Sequence, residues 1–155
     1  MVKFTSKEKQ SKGMRKMVVE NKRLEKTCCF YVSEFHLEMI LVPYINKKIE
    51  ENITILTEKN LRETLEILIS KMNLKEECKE KILKLEWSGE EKIKENSNII
   101  IIGSKEYIQN KNKEIENKNA ISVLDCYDFE QEKDSIDDIV KHYKNTLNTL
   151  GKNNF

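Results

Sequence analysis

Two uninterrupted apolar runs restrict what this chain can fold into more than any other feature. One is Cys29-Phe30-Tyr31-Val32-Ser33, the other Asn98-Ile99-Ile100-Ile101-Ile102-Gly103-Ser104. Each ends in small or polar residues and leads straight into a helical pattern. A strand with one wet face alternates apolar and polar residues, whereas a strand covered by helices on both faces does not. These runs therefore read as inner strands of a parallel sheet. In open sheets of this kind ligands bind beyond the carboxyl ends of the strands. That locates the place to look for a site without naming its chemistry.

The remaining segments follow the same rhythm. The first strand covers residues 28–32, and the Ser33 hydroxyl is placed to cap the helix over residues 34–51. Leu37, Ile40, Leu41, Tyr44, Ile45 and Ile49 form that helix's buried stripe. Pro43, the only proline, removes one backbone hydrogen bond and predicts a kink. A second strand over 53–57 precedes a helix opened by the capping box Asn60-Leu61-Arg62-Glu63, and a short helix follows over 75–83. The rhythm then asks for a strand over 83–87, and Ser88-Gly89-Glu90-Glu91 reads as a box opening a short helix to residue 93. After the strand over 98–102, Ser104 is placed to cap a helix carrying Tyr107, Ile108 and Ile115. A fifth strand spans 121–127. A last amphipathic helix runs from residue 134 or 135 along Ile136, Ile139, Val140, Tyr143, Leu147 and Leu150, with Gly151 ending it and 152–155 frayed. The expectation is one α/β domain over residues 27–151. It is a three-layer αβα arrangement with an open, mainly parallel sheet of about five strands, Rossmann-like or RecA-like.

Charge divides the chain unevenly. The formal net charge is +1, too small for a global field that draws nucleic acid or acidic substrates. Residues 1–26 nevertheless carry a net +6 against −5 for the rest, so they read as a basic arm, partly helical or disordered. The arm lacks interleaved aromatics beyond Phe4 and any nucleic-acid motif. A solvated tail is favoured over binding to nucleic acid or an anionic membrane. No run reaches the ~18 apolar residues of a membrane span or resembles a signal peptide. Cys28, Cys29, Cys78 and Cys126 have no metal-ligand spacing. They read as reduced, packed thiols in a cytoplasmic protein.

The first strand-to-helix turn, Val32-Ser33-Glu34-Phe35-His36, has no glycine to admit a pyrophosphate, and Glu34 repels one. No Walker loop is present. These absences speak against phosphate-bearing cofactors, and no cofactor or metal is expected. The residues left at the strand ends are Ser33, Glu34 and His36 after the first strand, Thr57 and Glu58 after the second, Trp87 and Ser88 after the third, Gly103 and Ser104 after the fourth, and Tyr127 and Asp128 after the fifth. Of these, Ser33, Glu34, His36, Thr57, Gly103, Ser104 and Asp128 form the candidate ligand-binding set. His36 has the chemistry of a general base with Glu34 or Glu38 orienting it. Ser33 and Ser104 suit a ligand oxygen, and Asp128 a sugar hydroxyl or metal. Capping and turn roles explain the same residues, and no catalytic set emerges.

Over residues 29–57 the text Phe30-Tyr31-Val32-Ser33-Glu34-Phe35-His36-Leu37-Glu38-Met39-Ile40-Leu41-Val42-Pro43-Tyr44-Ile45, then Ile49-Glu50-Glu51-Asn52-Ile53-Thr54-Ile55-Leu56-Thr57, resembles the start of the MEDS sensory domains. The shared features are an aromatic strand end, a helix with an internal proline followed by an aromatic, and a second strand ending in Thr. Those domains are RecA-like, similar to the circadian-clock ATPase fold with its Walker loop lost. The resemblance implies a non-catalytic regulatory domain and carries no functional residue over. Three readings follow: a non-enzymatic sensory or protein-interaction domain, a small ligand-binding protein or enzyme, and a nucleic-acid accessory protein acting through residues 1–26.

Overall fold

The two apolar runs lie side by side with others in one sheet, and side-chain alternation along them builds the layers. The computed structural model describes residues 24–89, 92–149 and 151–154. Glu25–Tyr31 (β1) leads into Glu34–Lys48 (α1), Asn52–Thr57 (β2), Arg62–Lys71 (α2) and Glu76–Lys84 (α3). Ser97–Ile102 (β3), Lys105–Glu114 (α4), Ser122–Asp128 (β4), Phe129–Glu132 (α5) and Ile136–Val140 (α6) follow, then Asn145–Asn148 (β5) and Gly151–Asn154 (β6). The sheet order is β2-β3-β4-β1-β5-β6. The first five strands run parallel, and β6 pairs antiparallel with β5.

Successive strand residues face opposite ways, so each strand feeds two cores. Cys29, Ile55, Ile100, Ile102, Leu124 and Cys126 pack under α1, α2 and α3. Cys28, Leu56, Ile99, Ile101, Val123 and Tyr127 pack under α4 and α6. All six residues of β3 are buried. At roughly 1.5–3 kcal/mol for each fully buried Ile or Leu, this ladder is the main source of stability. The arrangement is three-layer α/β and Rossmann-like. Among the described residues, no helix is long and apolar enough to cross a membrane.

Three expectations are corrected. Residues 83–87 form no strand, because their backbone oxygens are engaged elsewhere. The Arg62 guanidinium donates to the Leu83 carbonyl at 2.5 Å and the Leu85 carbonyl at 2.7 Å. The Trp87 carbonyl accepts from Leu61 N–H at 2.9 Å. The connection then passes from one face to the other: Trp87 is in the first core, and Ile93 packs against the second. Second, the described part of the Ser88 box opens no helix. Ser88 instead hydrogen-bonds Glu86 through its hydroxyl and its N–H, and Glu90 and Glu91 lie outside the described residues.

Third, the expected last helix stops at Val140, and β5 pairs with Thr27 and Cys28 of β1. Tyr143 packs into the second core and Leu147 into the first. Residues four apart share one face of a helix, so a helix on one side of the sheet could not place this pair on opposite sides. Gly151 accordingly belongs to β6, as do Lys152, Asn153 and Asn154 in place of a frayed end. The basic arm lies outside the described residues as far as residue 23, with Glu25 and Lys26 already in β1. Helix α1 continues through Pro43 as one element.

Trp87 is fully buried and its Nε1–H donates to the Ile82 carbonyl at 2.9 Å. Trp87→Ala should cost about 3–5 kcal/mol through the cavity and the orphaned carbonyl. The midpoint of urea unfolding followed by far-UV circular dichroism checks this.

Candidate functional site

The carboxyl ends of the strands align, with Thr57 opposite Ile102 and Tyr31 opposite Asp128. All seven expected site residues lie there, but their polar groups are largely engaged by local structure. Ser33 Oγ accepts from His36 N–H at 3.1 Å and caps α1. His36 Nδ1 accepts from Val32 N–H at 2.9 Å, so that nitrogen is not free to take a substrate proton. Glu34 sits in the first turn of α1, where a carboxylate suits the helix dipole. Thr57 Oγ1 closes a turn with the backbone of Lys59.

Ser104 Oγ caps α4 by accepting from Tyr107 N–H at 3.1 Å, and Asp128 Oδ1 caps α5 by accepting from Glu130 N–H at 2.9 Å. A Cβ on Gly103 would lie 2.6 Å from both Glu58 Oε1 and Tyr107 Cδ2, which is why glycine stands there. Glu58 gathers one half of this set: its Oε1 accepts from Ser104 N–H at 2.7 Å, and its own N–H donates to the Ile102 carbonyl. Ser33, Glu34, His36 and Asp128 stand apart at the ends of β1 and β4.

A second arrangement of polar groups, with a cavity beside it, is on the sheet's second face. A cavity of about 450 Å³ opens between α4 and α6, above β1 and β4. None of the seven candidate residues lines it, whereas Tyr127, also expected at the end of the fifth strand, does. Ile108 and Ile139 form its apolar walls, and Lys26, Tyr127 and Tyr143 its floor. Lys105 and Lys113 from α4 and His142 after α6 stand around it.

Beneath the floor lies Asp125, fully buried in the middle of β4. An isolated carboxylate cannot be left bare in such a place, and three segments, β1, α4 and the α6–β5 connection, supply partners. Tyr143 O–H donates to Oδ2 at 2.5 Å. Asn112 Nδ2–H from α4 reaches Oδ1 at 3.2 Å and Oδ2 at 3.3 Å. Lys26 Nζ from β1 is 3.8 Å from Oδ2 and 5.2 Å over the Tyr143 ring. Because Tyr143 spends its one proton on the carboxylate, its 2.6 Å contact with Tyr127 has Tyr127 donating. Tyr127 in turn stacks on Phe30 with ring centroids 5.6 Å apart.

Burial drives the Asp125 pKa upward, and the Tyr143 hydrogen bond, the Lys26 charge and the Asn112 hydrogen bond draw it partly back. Burial also raises the Tyr143 and Tyr127 pKa values, so both phenols stay protonated as donors. The signal for this network is present in the sequence as a charged residue inside the apolar run Val123-Leu124-Asp125-Cys126-Tyr127. The strand expected over 121–127 includes that aspartate, but nothing local in the sequence points to the partners that hold it.

A second buried carboxylate sits on the other face. Glu38 of α1 accepts from Thr64 O–H at 2.5 Å through Oε2, while its buried Oε1 has no partner among the described residues. Burial lifts its pKa to about 7, with the Thr64 hydrogen bond opposing and Glu34 adding. The cysteines behave as small hydrophobes. Cys28, Cys29 and Cys126 are fully buried, and burial pushes the Cys28 thiol up to about 12. Among the described residues no group of three or more His, Cys, Asp or Glu is placed to hold a metal ion.

Comparison with known proteins finds no matching family model, no matching curated protein and no matching solved structure.

Two outcomes follow from these carboxylates. Tyr143→Phe removes one charge-assisted hydrogen bond and should destabilise the fold by about 1.5–3 kcal/mol in urea titrations. For Glu38, the folded pKa near 7 lies above the ordinary 4.5, so the native state holds a proton that the unfolded chain releases. Stability should therefore be fully present below about pH 4.5 as far as this group is concerned, and decline as pH rises toward 7. The total loss is about 3 kcal/mol at ~1.4 kcal/mol per pKa unit. Glu38→Gln, measured by urea unfolding at pH 5 and pH 8, should flatten that decline.

Proposed function

We propose that this chain is a non-enzymatic, cytoplasmic sensory domain that binds a small molecule in the slot between α4 and α6. The observation that carries the reading is the slot itself: a cavity of about 450 Å³ on a floor held by a buried charge network. That volume suits a metabolite-sized ligand, and the lining sets Ile108, Ile139 and two tyrosine rings among lysine, amide, aspartate and histidine side chains. The strand ends, where Rossmann-like enzymes place their chemistry, are used here for helix caps and turns. A regulatory role accords with the resemblance to sensory domains over residues 29–57, and the buried free thiols accord with a reducing compartment.

A second reading, a protein-interaction domain, draws on one further observation. Val32, Phe35 and Met39 expose 64%, 43% and 49% of their surfaces at the start of α1, with Phe35 and Met39 one turn apart on the same helix face.

A metabolite panel in thermal unfolding tests the first reading. A true ligand at 100 times its dissociation constant adds about 2.7 kcal/mol of stability. Gln109 is exposed at the slot's edge, so Gln109→Trp should fill the opening without disturbing the core and abolish that gain. Stabilisation that survives Gln109→Trp would place the ligand elsewhere, and consumption of the compound over many turnovers would contradict a non-enzymatic role.

A further inference from the structure

We infer that the slot selects a small organic anion, its acid group met by Lys105 and Lys113 and its body lying on Ile108, Ile139 and Tyr143; this rests on the slot being the ligand site. The charges decide the sign. Three lysines line the cavity, Lys26, Lys105 and Lys113, against one acidic residue, Asp138. Asp138 is already drawn outward by Lys141 at 3.5 Å, both side chains being largely exposed. Asp125 is wholly buried and satisfied by Tyr143, Asn112 and Lys26, so it offers no anionic wall to a cationic ligand. Lys26 is in turn occupied by Asp125 and the Tyr143 ring.

Lys105 and Lys113 remain. Neither has an ion-pair partner among the described residues. They stand eight residues apart on α4, roughly 12 Å along its axis at 1.5 Å per residue. They therefore flank the slot from two sides, and their flexible stems can both reach inward. A cation entering here meets like charge at either end. An anion exchanges water for one or two ammonium groups, and the apolar walls reward a carbon body over a bare inorganic ion. A carboxylate and a phosphate monoester share this chemistry.

Amide NMR titration of the full chain with probes of one shape and different charge tests the inference. Benzoate and phenyl phosphate supply the two acids, benzylamine the cation, benzyl alcohol the neutral body, and inorganic phosphate the charge without a body, all at matched ionic strength. The expected result is saturable shifts across 105–113 and 138–143 with benzoate or phenyl phosphate, and at least tenfold weaker binding of benzylamine, benzyl alcohol and inorganic phosphate. Lys105→Glu combined with Lys113→Glu should weaken the anion at least tenfold while the amide spectrum stays folded. A glutamate at the first position of α4 suits the helix start.

Benzylamine or benzyl alcohol binding the slot as well as benzoate, or benzoate indifferent to the charge reversal, would overturn the anion inference and leave the slot as a ligand site. Inorganic phosphate binding as tightly as phenyl phosphate would overturn the role of the apolar walls. If no probe of any charge moves these amides, or if the shifts persist in Gln109→Trp, the slot is not the ligand site and the anion inference falls with it.

Discussion

A parallel sheet must be covered on both faces, and in this protein the two covers are unequal. The first face carries α1, α2 and α3, with 15, 10 and 9 residues. Among the described residues, the second carries α4 with 10 residues and α6 with only 5. The shortfall lies over β1 and β4, between α4 and α6. Tyr143 and Tyr127 fill part of it, and the slot is the part left open. The slot is thus a consequence of how the second layer is built. The same chain turn that ends α6 early delivers Tyr143 to the floor and then supplies β5 to the outer side of β1.

That early turn also marks where the sequence stopped being legible. Cys29–Tyr31, Ile53–Thr57, Ile99–Ile102 and Val123–Tyr127 were readable as strands because their burial is two-sided and leaves continuous apolar runs. Ser33 and Ser104 were readable as caps because a hydroxyl before a helix has one dominant use. The segment from Ile136 to Leu147 was not readable, because its apolar spacing satisfies a helix locally while the tertiary demand is a parallel partner for Thr27 and Cys28. Residues 83–87 failed for the reverse reason. Their pattern permits a strand, but Arg62 and Leu61, more than twenty residues earlier in the chain, claim the carbonyls a neighbouring strand would need.

The candidate site shows the same limit. The strand register sets Ser33, Glu34, His36, Thr57, Gly103, Ser104 and Asp128 at one end of the sheet. The sequence alone does not show that Glu58 and the helix N-termini already occupy many of their hydrogen-bonding groups. Asp125 lies three residues before Asp128 in the same strand and differs only in being inside the run. Its partners come from β1, α4 and the segment after α6, and no local pattern joins those three. Lys105 and Lys113 carry no local signal, because only the packing of α4 opposite α6 sets them beside the gap.

Asp125 is also hard to account for by stability alone. A buried charge pair frequently contributes less than well-packed hydrophobic residues of the same volume, because desolvation offsets the attraction. Leucine at position 125 would suit the second core between Val123 and Tyr127. What leucine would lose is direction: the carboxylate fixes the Tyr143 hydroxyl, orders Tyr127 to donate into it, and holds the Asn112 amide and the Lys26 ammonium at defined points around the slot. A floor of hydrophobic side chains could repack around whatever entered. One tied to a buried carboxylate through β1, β4, α4 and the α6–β5 connection keeps its shape when empty, which would lower the ordering cost of the binding we propose. The polar network is therefore best understood as preorganising the slot.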